Sequence, residues 1–158
     1  NECIDSNSLG SNAVFNFCFK NKIKLIYSAT SASLGNKGED KNLSPYAFTK
    51  AKNLELLENL KKWFNFKYEV IYFYNVYGPG ENVDEKYGNV IGIWRSKILK
   101  GEPLPIVGDG YQKRDFIHVH DIVDGLKKIA FSDLHHKDAW ELGTGISYSI
   151  NNLHSIFL

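Results

Sequence analysis

Three stretches follow one another in a fixed order: an apolar run at residues 23–27, a long helical pattern from Pro45 to about Trp63, and a second apolar run at residues 68–75. A strand, a covering helix and a second strand constrain a chain strongly, because a helix of that length carries it back so that the two strands run in parallel. The helix is marked at both ends of its logic. Ser44 is an N-cap residue and Pro45 suits the first helical position. Ala47, Ala51, Leu54, Leu57 and Leu60 recur at core-facing spacing, with Glu58 and Lys62 expected to pair on the wet side.

The alternation continues in both directions. A helix is expected over about residues 6–20, with Val14, Phe15, Cys18 and Phe19 among its apolar positions, and a strand over 23–28. Residues 31–43 read as a polar loop. After the strand at 68–75, closed by Gly78-Pro79-Gly80, a helix is expected from Asn89 to about Leu99, ending near Gly101. Residues 104–107 and 116–119 read as short strands on either side of an Asp109-Gly110 turn, then a helix over 122–131, a strand over 140–142, and a last helix capped by Ser149. The fold class is α/β, a parallel sheet covered by helices.

Composition fits a globular chain of about one domain: 158 residues, 43% apolar and 23% charged. A formal net charge of +1 gives no electrostatic reason to expect a nucleic-acid partner. No apolar run approaches the ~20 residues needed to span a bilayer, so no membrane partner is expected. Cys3 and Cys18 are too few for a disulfide framework or a zinc knuckle and read as reduced, which suggests a cytoplasmic location.

Chemistry concentrates at a few positions. Tyr46 and Lys50 stand four residues apart at the head of the long helix, so a phenol and an ammonium share one face. An ammonium beside a phenol favours the phenolate, and the first helical turn also favours negative charge, so the pair can act as a general base. Chance also places aromatic and basic residues one turn apart. Upstream, the first strand ends in Ser28-Ala29-Thr30-Ser31, at the sheet edge where open parallel sheets bind ligands. Thr30 there can hold a substrate oxygen, although such residues also end strands for turn reasons. His118 and His120 have a spacing compatible with a metal, but no third ligand is spaced to join them. His135-His136 reads as solvated surface, and Gly143-Thr144-Gly145 either approaches a phosphate or simply turns the chain.

The pieces Ser28 to Gly35, Pro45-Tyr46-x-x-x-Lys50, Asn75-Val-Tyr-Gly-Pro79, Gly108-Asp-Gly110, Arg114-Asp-Phe-Ile-His-Val-His-Asp121 and Leu142-Gly-Thr-Gly145 stand in this order. With them the chain resembles the extended short-chain dehydrogenase/reductase family, and within it the nucleotide-sugar epimerases and dehydratases. The resemblance implies a Rossmann-like sheet and a bound NAD or NADP. It implies a nucleotide-diphosphate sugar as substrate and a homodimer built through the Tyr46/Lys50 helix. By the same resemblance Tyr46 is the catalytic base and acid, Lys50 lowers its pKa and binds the nicotinamide ribose, and Thr30 bonds the reacting sugar oxygen. Asn7 and Phe73 join Tyr46 and Lys50 on the cofactor side. Asn75, Asn89, Leu104, Ile106 and Arg114 would hold the nucleotide and its diphosphate, the arginine because its fork meets phosphate oxygens in paired bonds.

The Gly-rich turn that cradles a dinucleotide pyrophosphate does not occur in this sequence, and neither does any methionine. The chain therefore reads as the C-terminal portion of a longer enzyme. Residues 1–80 would be the second half of the dinucleotide-binding domain, and residues 81–158 mainly a smaller substrate-binding lobe. Two positions depart from the family pattern: Tyr72 stands where an arginine is common, and Leu34 where a tyrosine is common. Thr30 is followed by Ser31-Ala32 rather than the Asp-Glu pair that serves 4,6-dehydration, so epimerisation is expected over elimination. The alternatives are an NADPH-dependent 4-keto-sugar reductase with the same Tyr and Lys, or a non-catalytic fragment that binds only nucleotide or a partner subunit.

Overall fold

The computed structural model of the chain describes residues 2–30, 44–136 and 138–158. In order, its elements are α1 (Glu2–Ile4), a π-helical turn (Asp5–Gly10), α2 (Ser11–Lys20), β1 (Leu25–Ser28), α3 (Pro45–Phe64), β2 (Tyr68–Phe73) and β3 (Asn75–Tyr77). There follow α4 (Val90–Lys100), β4 (Lys113–His118), α5 (Val119–Phe131), β5 (Trp140–Leu142), β6 (Ser147–Ser149) and α6 (Ile150–Phe157). The polar loop at 31–43, with Ser31, Ala32 and Leu34, lies outside the described residues. Two compact units interleave along the chain: Asn1–Tyr72 with Ile129–Glu141, and Phe73–Lys128 with Leu142–Leu158. The single apolar run at 68–75 thus supplies two strands, β2 to the first unit's sheet and β3 to the second's, with Tyr74 between them.

In the first unit the sheet order is β1-β2-β5, and β1 and β2 are parallel, with Leu25 opposite Tyr68 and Ser28 opposite Ile71. The covering helix α3 starts where the sequence marks it. Ser44 is extended, its hydroxyl accepts from the Ala47 N–H at 3.1 Å, and Pro45 opens the helix. It stops at Asn65, which is left-handed with φ of 53°. Ala47 and Leu57 are fully buried, and Leu54 and Leu60 pack at the margin of the core. That core joins Phe15, Cys18, Leu25, Tyr27, Leu57, Phe66 and Val70. Burying a leucine this completely stabilises the fold by about 1.5–3 kcal/mol. Among the described residues the expected Glu58–Lys62 pair does not form, and α3 carries an ion pair at Lys52–Glu55, 2.7 Å. Both of its side chains are exposed, so it contributes little.

Two side chains tie the returning segment to this sheet. Lys24 Nζ donates to the carbonyls of Ile129 and Ser132 at 2.8 and 2.6 Å, satisfying the end of α5. Glu69, only 3% exposed in β2, accepts from His135 Nδ1 at 2.7 Å, from the His136 N–H at 3.2 Å and from Trp140 Nε1 at 2.7 Å. His135 and His136 are both exposed, in keeping with the surface reading, and they also reach back to the sheet through Glu69. A buried carboxylate needs donors, and both residues supply one.

The second unit holds β3-β4-β6, parallel between β3 and β4 and antiparallel between β4 and β6. Its core gathers Ile91, Trp94, Phe116, Ile150 and Leu153, with Leu104 packed against it. Residues 104–107 form no strand, contrary to the sequence pattern. Pro103 and Pro105 each lack an N–H for a ladder, and the Pro105 carbonyl instead accepts from Trp94 Nε1 at 2.9 Å. The hairpin expected across Asp109-Gly110 gives way to β4 pairing with β3 and β6. Gly110, at φ of 74°, closes this turn. A Cβ there would run into the side-chain amide of Asn151, the residue whose N–H bonds the Gly110 carbonyl.

Candidate active site

At the carboxyl end of β1, Lys50 reaches across from α3. Its Nζ donates to the Ser28 carbonyl at 2.9 Å and lies 5.0 Å from the centroid of the Tyr27 ring. Burial pushes the Lys50 amine below the usual lysine range. Tyr46 stands one turn earlier on the same helix, in its first turn, with 44% of its surface exposed. Thr30 is half-buried two residues beyond Ser28, just past the strand end. These three expected residues therefore belong to one unit and to two adjoining elements, the end of β1 and the start of α3.

Behind Lys50 lies a polar network. Asn7 sits inside the π-helical turn, and its Nδ2 donates to Thr49 Oγ1 at 3.3 Å. Its carbonyl accepts from Asn53 Nδ2 at 2.6 Å, and the same Nδ2 donates to the Tyr27 hydroxyl at 3.2 Å. Burial pushes the Tyr27 phenol up, the Asn53 bond opposes it, and the neighbouring phenols of Tyr46 and Tyr72 add to the rise. Sequence reading placed Asn7 on the cofactor side and missed Tyr27 and Asn53. Asn53 carried a signal all the same: it is a polar residue on the buried stripe of α3, among Ala47, Thr49 and Leu57.

The expected substrate-binding residues belong to the second unit, and several serve its scaffold. Asn75 Nδ2 donates to the Asp115 carbonyl at 2.9 Å, fastening β3 to β4. Asn89 caps α4 by accepting from the Gly92 N–H at 2.9 Å, while its Nδ2 donates to the Val76 carbonyl at 2.6 Å. Leu104 packs in the core and Ile106 is exposed. Arg114 is exposed on β4, its Nη1 bonding the Lys113 carbonyl at 2.8 Å. Phe73 is half-buried at the end of β2.

Asp115 decides the choice left open for the Gly143-Thr144-Gly145 turn. Its buried carboxylate accepts from the Thr144 N–H and hydroxyl at 3.1 and 2.6 Å and from the Gly145 N–H at 2.8 Å. Both of those N–H groups are thus committed to an internal carboxylate. A Cβ on Gly143 would meet Asp115 Oδ2 and the Tyr74 ring at 2.7 Å each, so the close approach itself demands glycine. Burial pushes the Asp115 carboxyl up, but the three donors outweigh it and hold the group below the usual range. The His118 and His120 rings pack edge-to-face at 4.7 Å. Among the described residues no group of three His, Cys, Asp or Glu side chains is arranged to hold a metal ion.

The chain belongs to the NAD dependent epimerase/dehydratase family, whose model matches residues 1–143. It is 33% identical over 115 residues to a putative UDP-glucose 4-epimerase of Methanocaldococcus jannaschii, covering 72% of this chain and 36% of that protein. It is 29% identical over 156 residues to the dTDP-4-dehydro-6-deoxyglucose reductase of Escherichia coli, covering 90% of this chain and 49% of that one. Among solved structures it matches the UDP-N-acetylglucosamine 4-epimerase of Methanobrevibacter ruminantium M1, in complex with UDP-N-acetylmuramic acid, with a TM-score of 0.86 and 32% identity. That match covers 97% of this chain and 52% of the other, so the chain spans about half the length of that relative.

Proposed function

We propose that the chain carries the proton-transfer and sugar-binding portion of a nucleotide-sugar epimerase. The observation that carries this reading is the Lys50 ammonium, one helical turn from Tyr46, bonded to the carbonyl of Ser28 at the end of β1, two residues before Thr30. Tyr46 takes the proton of a sugar hydroxyl and later returns one to the carbonyl oxygen, which is general-base and then general-acid work. Lys50 lends positive charge to that phenol, and Thr30 orients the reacting oxygen. The ammonium carries three N–H donors and Ser28 engages one, so the donor set fits the ribose hydroxyls of a nicotinamide nucleotide beside Tyr46. NAD, when bound, supplies hydride acceptance and return at the sugar carbon. Arg114, exposed on β4, is read as the partner of the diphosphate, with Asn75 and Asn89 holding the strand and helix ends beside it.

The relationship to a dTDP-sugar reductase supports a second reading, a net reduction of a 4-keto sugar with the same tyrosine and lysine. Turnover of a UDP-sugar without added NADPH selects epimerisation; strict dependence on NADPH selects reduction. The exposed Phe48, Trp63 and Phe64 on α3 support pairing of two copies through that helix. With only two cysteines in its sequence, too few for a disulfide framework, the chain is read as a protein of a reducing, cytoplasmic setting. The test of the mechanism is Tyr46→Phe in the full-length enzyme. It should lower kcat at least about 100-fold, the worth of a positioned acid/base group, and near-normal turnover overturns the assignment.

A further inference from the structure

Asn53 is 6% exposed on the core-facing side of α3, where a leucine would be the ordinary occupant. A buried amide is costly unless bonded, and here one Nδ2 makes two bonds, to the Asn7 carbonyl in the π-helical turn and to the Tyr27 hydroxyl. The second bond has a consequence three residues back along the helix. Lys50 and Asn53 share a face, and the ring whose hydroxyl Asn53 holds is the ring over which the Lys50 ammonium sits at 5.0 Å. Phe15 fixes the same ring from its edge, with centroids 5.7 Å apart. Lys50 therefore has two fixtures, the Ser28 carbonyl and the π-face of Tyr27, and the second is only as rigid as the bond that stops the ring from tilting.

We propose that Asn53 is a positioning residue for Lys50, acting through Tyr27: it locks the phenol ring that seats the ammonium and ties it to the π-helical turn at Asn7. The inference rests on the reading of Lys50 as the partner of Tyr46, but the contact it describes can be measured without turnover. An ammonium and its neighbouring methylene over an aromatic face are shielded by the ring current, so the Lys50 ε-methylene should resonate upfield of the exposed lysines.

The experiment uses the full-length enzyme and three forms, wild type, Asn53→Leu and Tyr27→Phe. Asn53→Leu keeps the volume and removes both donors. Tyr27→Phe keeps the ring and removes the acceptor, which leaves a well-folded control if the leucine variant misfolds. Selective carbon-13 labelling of lysine reads the Lys50 ε signal, and steady-state kinetics on a UDP-sugar read kcat and KM. In Asn53→Leu the ε signal should shift downfield toward the other lysines, and kcat should fall about tenfold, the rate equivalent of roughly one cation–π contact, with KM changed less than about twofold. Tyr27→Phe should move both in the same direction by a smaller step. An unmoved Lys50 signal in folded Asn53→Leu and Tyr27→Phe overturns the proposal. A moved signal with unchanged kcat supports the contact and overturns the catalytic reading of Lys50 instead, so the two failures are distinguishable.

Discussion

Glu69→Ala should be among the most damaging single substitutions in the first unit that touch no proposed catalytic group. The carboxylate is 3% exposed and accepts from three donors: His135 Nδ1, the His136 N–H and Trp140 Nε1. A hydrogen bond to a charged group contributes about 1.5–3 kcal/mol, and donors left unpaired in the interior add a desolvation penalty. His135 is largely exposed and regains water, so the lasting loss comes mainly from Trp140 and His136. That arithmetic gives a cost of about 3–5 kcal/mol for Glu69→Ala, and about 1–2 kcal/mol less for Glu69→Gln, which keeps one acceptor oxygen. Urea unfolding followed by circular dichroism, with the slope checked against wild type, measures both. A cycle with Trp140→Phe should show coupling of about 1 kcal/mol or more. The pH dependence has a definite sign. Burial pushes the Glu69 carboxyl up, but the His135, Trp140 and His136 bonds prevail and hold it below the usual value of 4.5. Its stabilisation is therefore present above that value and is lost as pH falls through the depressed folded pKa. A Glu69→Ala cost within about 0.5 kcal/mol of zero, the range of an ordinary surface change, would refute this account of the clamp.

Leu57→Ala, at a fully buried site in the first core, should cost about 2–5 kcal/mol by the same unfolding assay. Asp115→Asn turns an acceptor into a donor facing the Thr144 or Gly145 N–H. It should cost about 1–3 kcal/mol and raise amide exchange at residues 144 and 145. Asp115 also loses its contribution as pH falls, since its folded pKa lies below the usual value. Arg114→Ala in the full-length enzyme should raise KM for a UDP-sugar about tenfold or more while changing kcat less, and a smaller rise in KM than in 1/kcat would remove Arg114 from phosphate binding.

Sequence and structure agree where the signal is local. Ser44 and Pro45 start α3, Asn89 and Gly101 bound α4, and Ser149 caps α6, each through bonds to neighbours a few residues away. The same holds for Tyr46 and Lys50, whose spacing on one helix sets their shared face whatever surrounds it. The strand misread at 104–107 also had a local signal, its two prolines, that was outweighed by the apolar run around them.

By itself, then, the order of residues determined the α/β alternation, the helix ends and the phenol–amine pair, because caps and helical periodicity act over fewer than ten residues. Only the tertiary structure decided that one apolar run serves two sheets, and that His135 and Trp140 close on a glutamate about seventy residues away. It alone showed that Asn53 holds the ring beneath Lys50. Those contacts join residues far apart in sequence, where the partner of a buried polar group is chosen by packing and desolvation rather than by spacing.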